Sequence, residues 1–290
     1  MNENDKCYAF DQIQYTDGIF DAIDATYVIH LEGNGRYEEI QKQLSEYHPT
    51  NELYIVRNKG YKKCSKSEQI NAPALDLVDA FLQIFKHAAE QNYDYILILE
   101  DDFMFDPAVK DPKNVNNIQH FLKKHHGENF QYLLGCIPWL QIPCEYTTRI
   151  GIITNGTHSC IYSKPNRDFI LKQSPTTIKD WDTYNCFNLF TKNIPRYMYY
   201  TPLCYQLFPN TENSDNWGKH NVFLYYLLKI LKFIFKLLHL DTQIEPGYSL
   251  FYYFSMIFAL CILLIVIYLF ARIVRAVGFS TKMVRRTRRG

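Results

Sequence analysis

Three consecutive carboxylates, Glu100, Asp101 and Asp102, close the stretch Tyr93-Asp-Tyr-Ile-Leu-Ile-Leu-Glu-Asp-Asp-Phe103. Carboxylates grouped this closely repel one another, and a hard divalent cation with oxygen ligands is the simplest way to keep them ionised beside an apolar segment. A divalent metal is therefore implied. The run Ile96 to Leu99 is short, aliphatic and partly β-branched, and reads as a buried parallel strand. Ligands of open α/β sheets bind just beyond the carboxyl ends of such strands, so the acids fall where a site is expected. Alternation along the strand puts Glu100 and Asp102 on one face and Asp101 on the other. A solvated acidic turn is the plain alternative for any acid triplet.

Two further groups could join them. His158 follows Asn155-Gly156, and Asp180 and Asp182 lie in Lys179-Asp-Trp-Asp182. A single histidine is more often packed than chemical, and acids at a helix start are ordinarily explained by the macrodipole.

The elements that must position these residues follow from periodicity. Ala25 to Leu31 reads as a first strand, followed by a Gly33-Asn-Gly35 turn and a helix from about Arg36 to Tyr47. Glu52 to Val56 is a second strand, and Arg57 to Lys66 a polar loop. Pro73 suits the first turn of a helix whose apolar residues Leu77, Phe81, Leu82, Phe85 and Ala88 share a face. With the Ile96 strand this makes a βαβ-type series and a mainly parallel sheet. Residues 106–116 read as a loop, then a short helix to His125 and a strand over Tyr132 to Cys136. Ile150 to Ile153 and Ser159 to Tyr162 read as two strands joined at Asn155-Gly156, a hairpin signal. A helix starts at Lys164, and Tyr197 to Leu207 is an aromatic, strand-like run. Residues 1–24 show little periodicity.

The formal charge of +1 hides an asymmetry. Residues 248–290 hold seven basic groups and no acid, leaving 24 basic against 30 acidic residues before them. An acidic globular part disfavours nucleic acid as a partner, because phosphate neutralisation needs clustered Lys and Arg. A bridging cation would still admit a nucleoside diphosphate. The eight cysteines have no zinc spacing. The N-terminus lacks a basic region followed by an apolar core, so no cleavable signal peptide is expected, and the default for the globular part is a reducing, cytoplasm-facing location.

Near residue 221 the character changes. Over 221–240, Lys229, Lys232 and Lys236 share one helix face among Leu, Ile, Phe and Tyr, the pattern of a helix lying in a membrane interface. Tyr248 to Ala271 then runs about 24 residues without a charge, about 36 Å as a helix against a hydrocarbon core of about 30 Å. Aromatic residues flank it and a basic tail follows over 272–290, so membrane lipid is an expected partner. Either this single span or a hairpin with 221–240 anchors a globular domain of residues 1–220.

Taken together, the motifs resemble glycosyltransferase family 25, the group of bacterial lipooligosaccharide and procollagen galactosyltransferases. The matching pieces are Val28-Ile-His-Leu31 with Arg36 beyond; Ile96-Leu-Ile-Leu-Glu-Asp-Asp102; Leu134-Gly-Cys136; Gly156-Thr-His-Ser159 with Ile161 and Ser163; Asp180 and Asp182; and Pro202 to Gln206 followed by Ser214-Asp215. They run in the family's order over about residues 26–217. Cys64-Ser-Lys-Ser67 stands where the family has a Ser-His pair, and Glu32-Gly-Asn-Gly35 interrupts the segment after the first strand. The resemblance implies a GT-A type nucleotide-sugar-binding α/β fold and a hexosyltransferase moving a sugar from a nucleotide-sugar donor to a glycan or glycoprotein acceptor. Under it, the metal is Mg2+ or Mn2+, Asp102, Glu100 and His158 are the candidate metal ligands, and Asp182, ahead of Asp180, is the candidate catalytic base. Asp101, His30, Arg36, Gln206, Ser214 and Asp215 are the candidate donor contacts. A nucleotidyltransferase or phosphatase is disfavoured by the lack of a Gly-rich phosphate loop. An inactive membrane-anchored glycan-binding or envelope protein is the remaining alternative.

Overall fold

The computed structural model describes residues 7–287 except 175–176, 187–188, 190–191, 208–221 and 241. Its centre is a seven-stranded sheet. In spatial order the strands are β1 (Tyr8–Gln14), β3 (Glu52–Asn58), β2 (Ala25–Leu31), β4 (Tyr95–Glu100), β7 (Thr148–Ser163), β6 (Gln131–Pro143) and β8 (Arg196–Tyr199). β3, β2 and β4 run parallel, as does the pair β6 and β8. β1 is antiparallel to β3, and β7 is antiparallel to β4, β6 and β8. The sheet is thus mixed, and the expected parallel series describes only its β3-β2-β4 portion.

Alternation along the central strands builds a core on each face. One face buries Tyr27, Ile29, Tyr54, Val56, Ile96 and Ile98 under α2 (Pro73–Glu90), whose Val78, Phe81, Ile84 and Phe85 point inward. The other buries Val28, Leu53, Ile55, Leu97 and Leu99 under α1 (Tyr37–Glu46) and α3 (Pro112–Lys124). Each fully buried Phe or Leu contributes roughly 1.5–3 kcal/mol. α2 starts at Pro73, whose missing N–H costs nothing in a first turn. The ring of Trp181 stacks on Phe81 with centroids 4.3 Å apart, fixing α5 (Trp181–Cys186) to this layer. The remaining short elements are β5 (Phe103–Phe105), paired antiparallel with β9 (Cys204–Gln206), and α4 (Lys164–Leu171).

Several expectations are corrected. Residues 8–14 form an edge strand whose seven residues all pair with β3. Most of the loop expected at 106–116 is a 3-10 turn at Pro107–Lys110 and the start of α3; Asp111 caps that helix by accepting from the Lys113 N–H at 2.8 Å. There is no hairpin at Asn155-Gly156. One strand runs from Thr148 to Ser163, and the turn joining it to β6 lies at 144–147. Gly156, with φ of +86°, instead supplies a bulge. Gly135 pairs with Ser159 and Ile137 with Asn155, so two steps on β6 face four on β7.

Cys7 and Cys64 form a disulfide that ties the start of β1 to the loop after β3. A reducing location for the globular part does not accord with that bond. Inside the same loop the side chain of Lys66 is fully buried, its ammonium donating to Asp76 and to Asn58 Oδ1 and lying 4.0 Å from the centroid of the Tyr8 ring.

Two helices end the chain, α6 (Val222–Leu237) and α7 (Gly247–Thr287). α7 includes one stretch, Gly247–Arg275, that is long and apolar enough to cross a membrane, with a mean hydropathy of 2.9 over an 18-residue window. Its first turns are built into the globular part. Phe251 packs edge-on against Trp139 at 5.8 Å, and Gln141 donates to the Tyr252 carbonyl at 2.9 Å and to Ser255 Oγ at 2.7 Å. The residues expected to form a separate basic tail continue this helix as far as Thr287.

Candidate active site

The acid cluster forms where β4 ends. Glu100 is the last strand residue, and Asp101 and Asp102 make the turn that leads to β5. Because the strand stops at Glu100, strict alternation does not extend to the next two residues. Arg36 Nη1 reaches Asp101 Oδ1 at 2.6 Å and Asp102 Oδ2 at 2.9 Å, so one guanidinium nitrogen gathers both acids. Asp101 also accepts from Asn34 Nδ2. Gly33 and Gly35 flank Asn34 with φ of +82° and +79°, the left-handed region in which glycine carries no Cβ penalty. The turn between β2 and α1 is thereby folded down onto the acids. His30, at the end of β2, is buried, tilts against Tyr37 at 5.2 Å and leaves Nδ1 without a partner. Burial pushes its pKa down, so it stands as a neutral ring.

Glu100 is held from the β7 side. The bulge at Gly156 carries Thr157, whose Oγ1 is 2.8 Å from Glu100 Oε1 and 3.2 Å from Asp182 Oδ1. A hydroxyl has one proton to donate, so the three groups are fully satisfied when one carboxyl keeps its own proton and donates it to Oγ1. The electrostatics agree. Burial, then the charges of Asp182 and Asp102, raise Glu100 well above the ordinary carboxylate range. Burial and the charge of Asp180 bring Asp182 up to about 6, against the opposing pull of Arg196. Asp182 is therefore a carboxylate poised near neutrality, the condition for a general base.

Asp102 differs. Burial raises it while Arg36 opposes the rise. Its Oδ2 is engaged by Arg36 and by Gln206 Nε2 at 2.9 Å, whereas Oδ1 is buried without a hydrogen-bond partner. A buried acceptor of that kind is costly unless something binds it, and a hard cation is a fitting ligand. Mg2+ is commonly held by one or two carboxylates together with substrate phosphates. Asp102, with Glu100 beside it, offers that donor set. Among the described residues no group of three or more His, Cys, Asp or Glu is arranged to hold a metal ion.

The other sequence candidates fall at varying distances from this centre. Asp180 accepts the Thr183 N–H at 2.7 Å and so caps α5. His158 lies inside the bulge, fully buried, with Nε2 3.2 Å from the Cys204 carbonyl and 3.2 Å from the Tyr248 hydroxyl. Burial lowers its pKa to about 4, so it is neutral. Its ring packs in the floor of the site beneath Gly156; a Cβ at that glycine would lie 3.3 Å from Nδ1. Gln206 contacts the acid cluster through Asp102. Ser214 and Asp215 lie outside the described residues.

Three contributors were not among the sequence candidates, although Thr157 falls within the Gly156-Thr-His-Ser159 motif. Thr157 joins the two carboxylates, and Arg196, buried in β8, partly offsets the upward shift at Asp182 while donating to the Thr154 carbonyl at 3.0 Å. Tyr248 comes from the first turn of α7. Gly135 is required for the floor: a Cβ there would fall 1.7 Å from the Cys204 carbonyl oxygen. A separate surface cavity lined by Asp17, His48, Lys110 and Val115 includes none of the acid-cluster residues.

No protein-family model matches this chain, and no curated protein does. Among solved structures it is similar to the crystal structure of a glycosyltransferase involved in the glycosylation of the major capsid of PBCV-1. That match has 14% identity and a TM-score of 0.40, covering 64% of this chain and 95% of the other. A second similar structure is A197 from STIV, with 12% identity, a TM-score of 0.38, and coverage of 63% and 85%.

Proposed function

We propose that this protein is a glycosyltransferase of GT-A type, moving a hexose from a nucleotide-sugar donor such as a UDP-hexose to the hydroxyl of a glycan or protein-linked acceptor at a membrane. The observation that carries this reading is the pairing of two unlike carboxyl environments within one Thr157 contact of each other. Asp182 is an ionisable base, and the Glu100–Asp102 side offers an open buried oxygen. The sequence resemblance supports the same assignment. Bound Mg2+ or Mn2+ would supply Lewis acidity toward the departing diphosphate. Asp102 Oδ1 and Glu100 would hold it, with Glu100 giving up its proton on binding. Arg36 offers a second positive group beside the phosphates, and Asp101 keeps Arg36 and Asn34 in place. Asp182 takes the proton of the acceptor hydroxyl as that oxygen attacks the sugar carbon.

The test is a screen of nucleotide sugars with Mn2+ or Mg2+ for release of nucleoside diphosphate by the full chain. Release that is lost in Asp102→Ala supports the reading. A protein that neither binds nor turns over any donor would leave only a tethered binding module.

A further inference from the structure

α6 is apolar on two sides, and the domain takes up one of them. Phe235 is buried with its ring 5.7 Å from that of Phe251 on α7, and Ile234 and Leu238 pack beside it against the core. A second apolar line, Tyr226, Ile230, Phe233 and Leu237, follows the spacing of a single helical stripe and is 58–66% exposed. Lys229, Lys232 and Lys236 make a third line, with Lys229 and Lys236 exposed, and α6 contains no acid. At about 100° of turn per residue, the lysine line is centred about 100° from the exposed stripe, on the flank away from the docked residues.

That order of faces fits a helix lying flat in a bilayer surface. With its exposed stripe turned toward the hydrocarbon, a line of lysines offset by about 100° sits near the height of the helix axis, where their long stems reach the phosphate layer. α6 is too short to cross: its 16 residues rise about 24 Å, against a hydrocarbon core of about 30 Å. Apolar exposure on the neighbouring helix begins beside the same contact. Phe251, the partner of Phe235, is followed on α7 by Tyr253 and Phe254, 62% and 58% exposed, and then by the rest of the apolar stretch. A second copy seated antiparallel on the stripe would set lysine line against lysine line, whereas an anionic leaflet meets that line with opposite charge.

We infer that α6 is a lateral membrane seat selective for an anionic leaflet. Tyr226, Ile230, Phe233 and Leu237 enter the acyl boundary, and Lys229, Lys232 and Lys236 engage lipid phosphates. The inference does not depend on the sugar-transfer reading. It sets a flat helix in place of the hairpin alternative and ties the domain's hold on the membrane to lipid charge. Each lysine near an anionic surface favours seating roughly fivefold, so the three together favour it roughly 100-fold at low salt, and added salt weakens the effect.

The experiment uses the full chain. Cys144→Ser and Cys261→Ser remove the exposed thiols, and Phe233→Cys carries a fluorescent nitrobenzoxadiazole label. The protein is reconstituted into phosphatidylcholine vesicles with or without phosphatidylglycerol. Quenching is read with iodide on both sides of the membrane, and with lipids bearing a nitroxide at the headgroup or deep in the acyl chain. With phosphatidylglycerol present, iodide quenching should fall about fivefold or more and the headgroup nitroxide should quench. High salt, or replacement of all three lysines by Gln, should restore iodide access, whereas replacement by Arg should not. The salt arm uses the lysine-bearing chain, so it reads the effect even if the Gln variant folds poorly. Iodide access that ignores phosphatidylglycerol, or shielding that survives both high salt and the Gln replacements, overturns the inference. So does quenching by the deep nitroxide alone, which marks an inserted hairpin, and so does shielding in detergent that grows with protein concentration, which assigns the stripe to a second copy.

Discussion

Replacing Asp182 by Asn should make the protein more stable and less active at the same time. A carboxyl whose folded pKa lies above its unfolded value binds its proton more tightly when folded, so its contribution to stability is lost as pH rises between the two values. For Asp182 these are 3.8 and about 6. The difference corresponds to about 3 kcal/mol at most, and to about 2 kcal/mol once partial exposure of the carboxyl is allowed for. Above pH 6 the Asn variant escapes this penalty, and its thermal midpoint should rise by roughly 4–8 °C. Near pH 4 the two proteins should melt together. Diphosphate release coupled to transfer should fall about 10^2- to 10^4-fold, and the parent's kcat/KM should climb through an apparent pKa near 6. Thermal melts of the full chain from pH 4 to 8, paired with transfer assays, test both arms. An Asn variant that melts lower at pH 7, or that retains full transfer, refutes the assignment of Asp182 as a strained base.

Three other variants probe the scaffold. Lys66→Met should lower stability by roughly 3–5 kcal/mol, since it strands the Asp76 and Asp79 carboxylates without their buried cation; denaturant titration reads this. Gly135→Ala should cost about 3 kcal/mol or more, because the Cys204 backbone must move out of the way of the new methyl; the yield of folded protein and its melting point report it. Opening the disulfide with Cys7→Ser and Cys64→Ser frees a loop of 57 residues and should cost about 4 kcal/mol by chain entropy. A melt unchanged from the parent would deny that the bond forms.

The strand that leads into the acid triplet was legible, because a short aliphatic, partly β-branched run fits a buried strand, and Ile96 to Leu99 are fully buried in β4. α2 was legible for a similar reason, its Pro73 start and apolar stripe agreeing with each other. Asn155-Gly156 misled, since that dipeptide marks both hairpin turns and bulges, and only the partner strand decides between them. That bulge aims Thr157 at two carboxylates, so the missed backbone feature is also why Thr157 was missed as a site residue. β1 was obscured because an edge strand needs only one apolar face, and its proximity to residue 64 depends on long-range pairing. Tyr248 looked like an interfacial aromatic, because the sequence that follows it is apolar and uncharged, whereas its neighbours in space belong to the core.

Tyr248, Phe251 and Tyr252 belong to the core, which has a consequence for biogenesis. Until residue 255 has left the ribosome, the surface of β6 that receives these side chains stays open, and the floor of the acid cluster lacks its last wall. Completion of the domain therefore waits for the first turns of α7. A nascent chain halted before Gly247 would expose that wet apolar seam to chaperones.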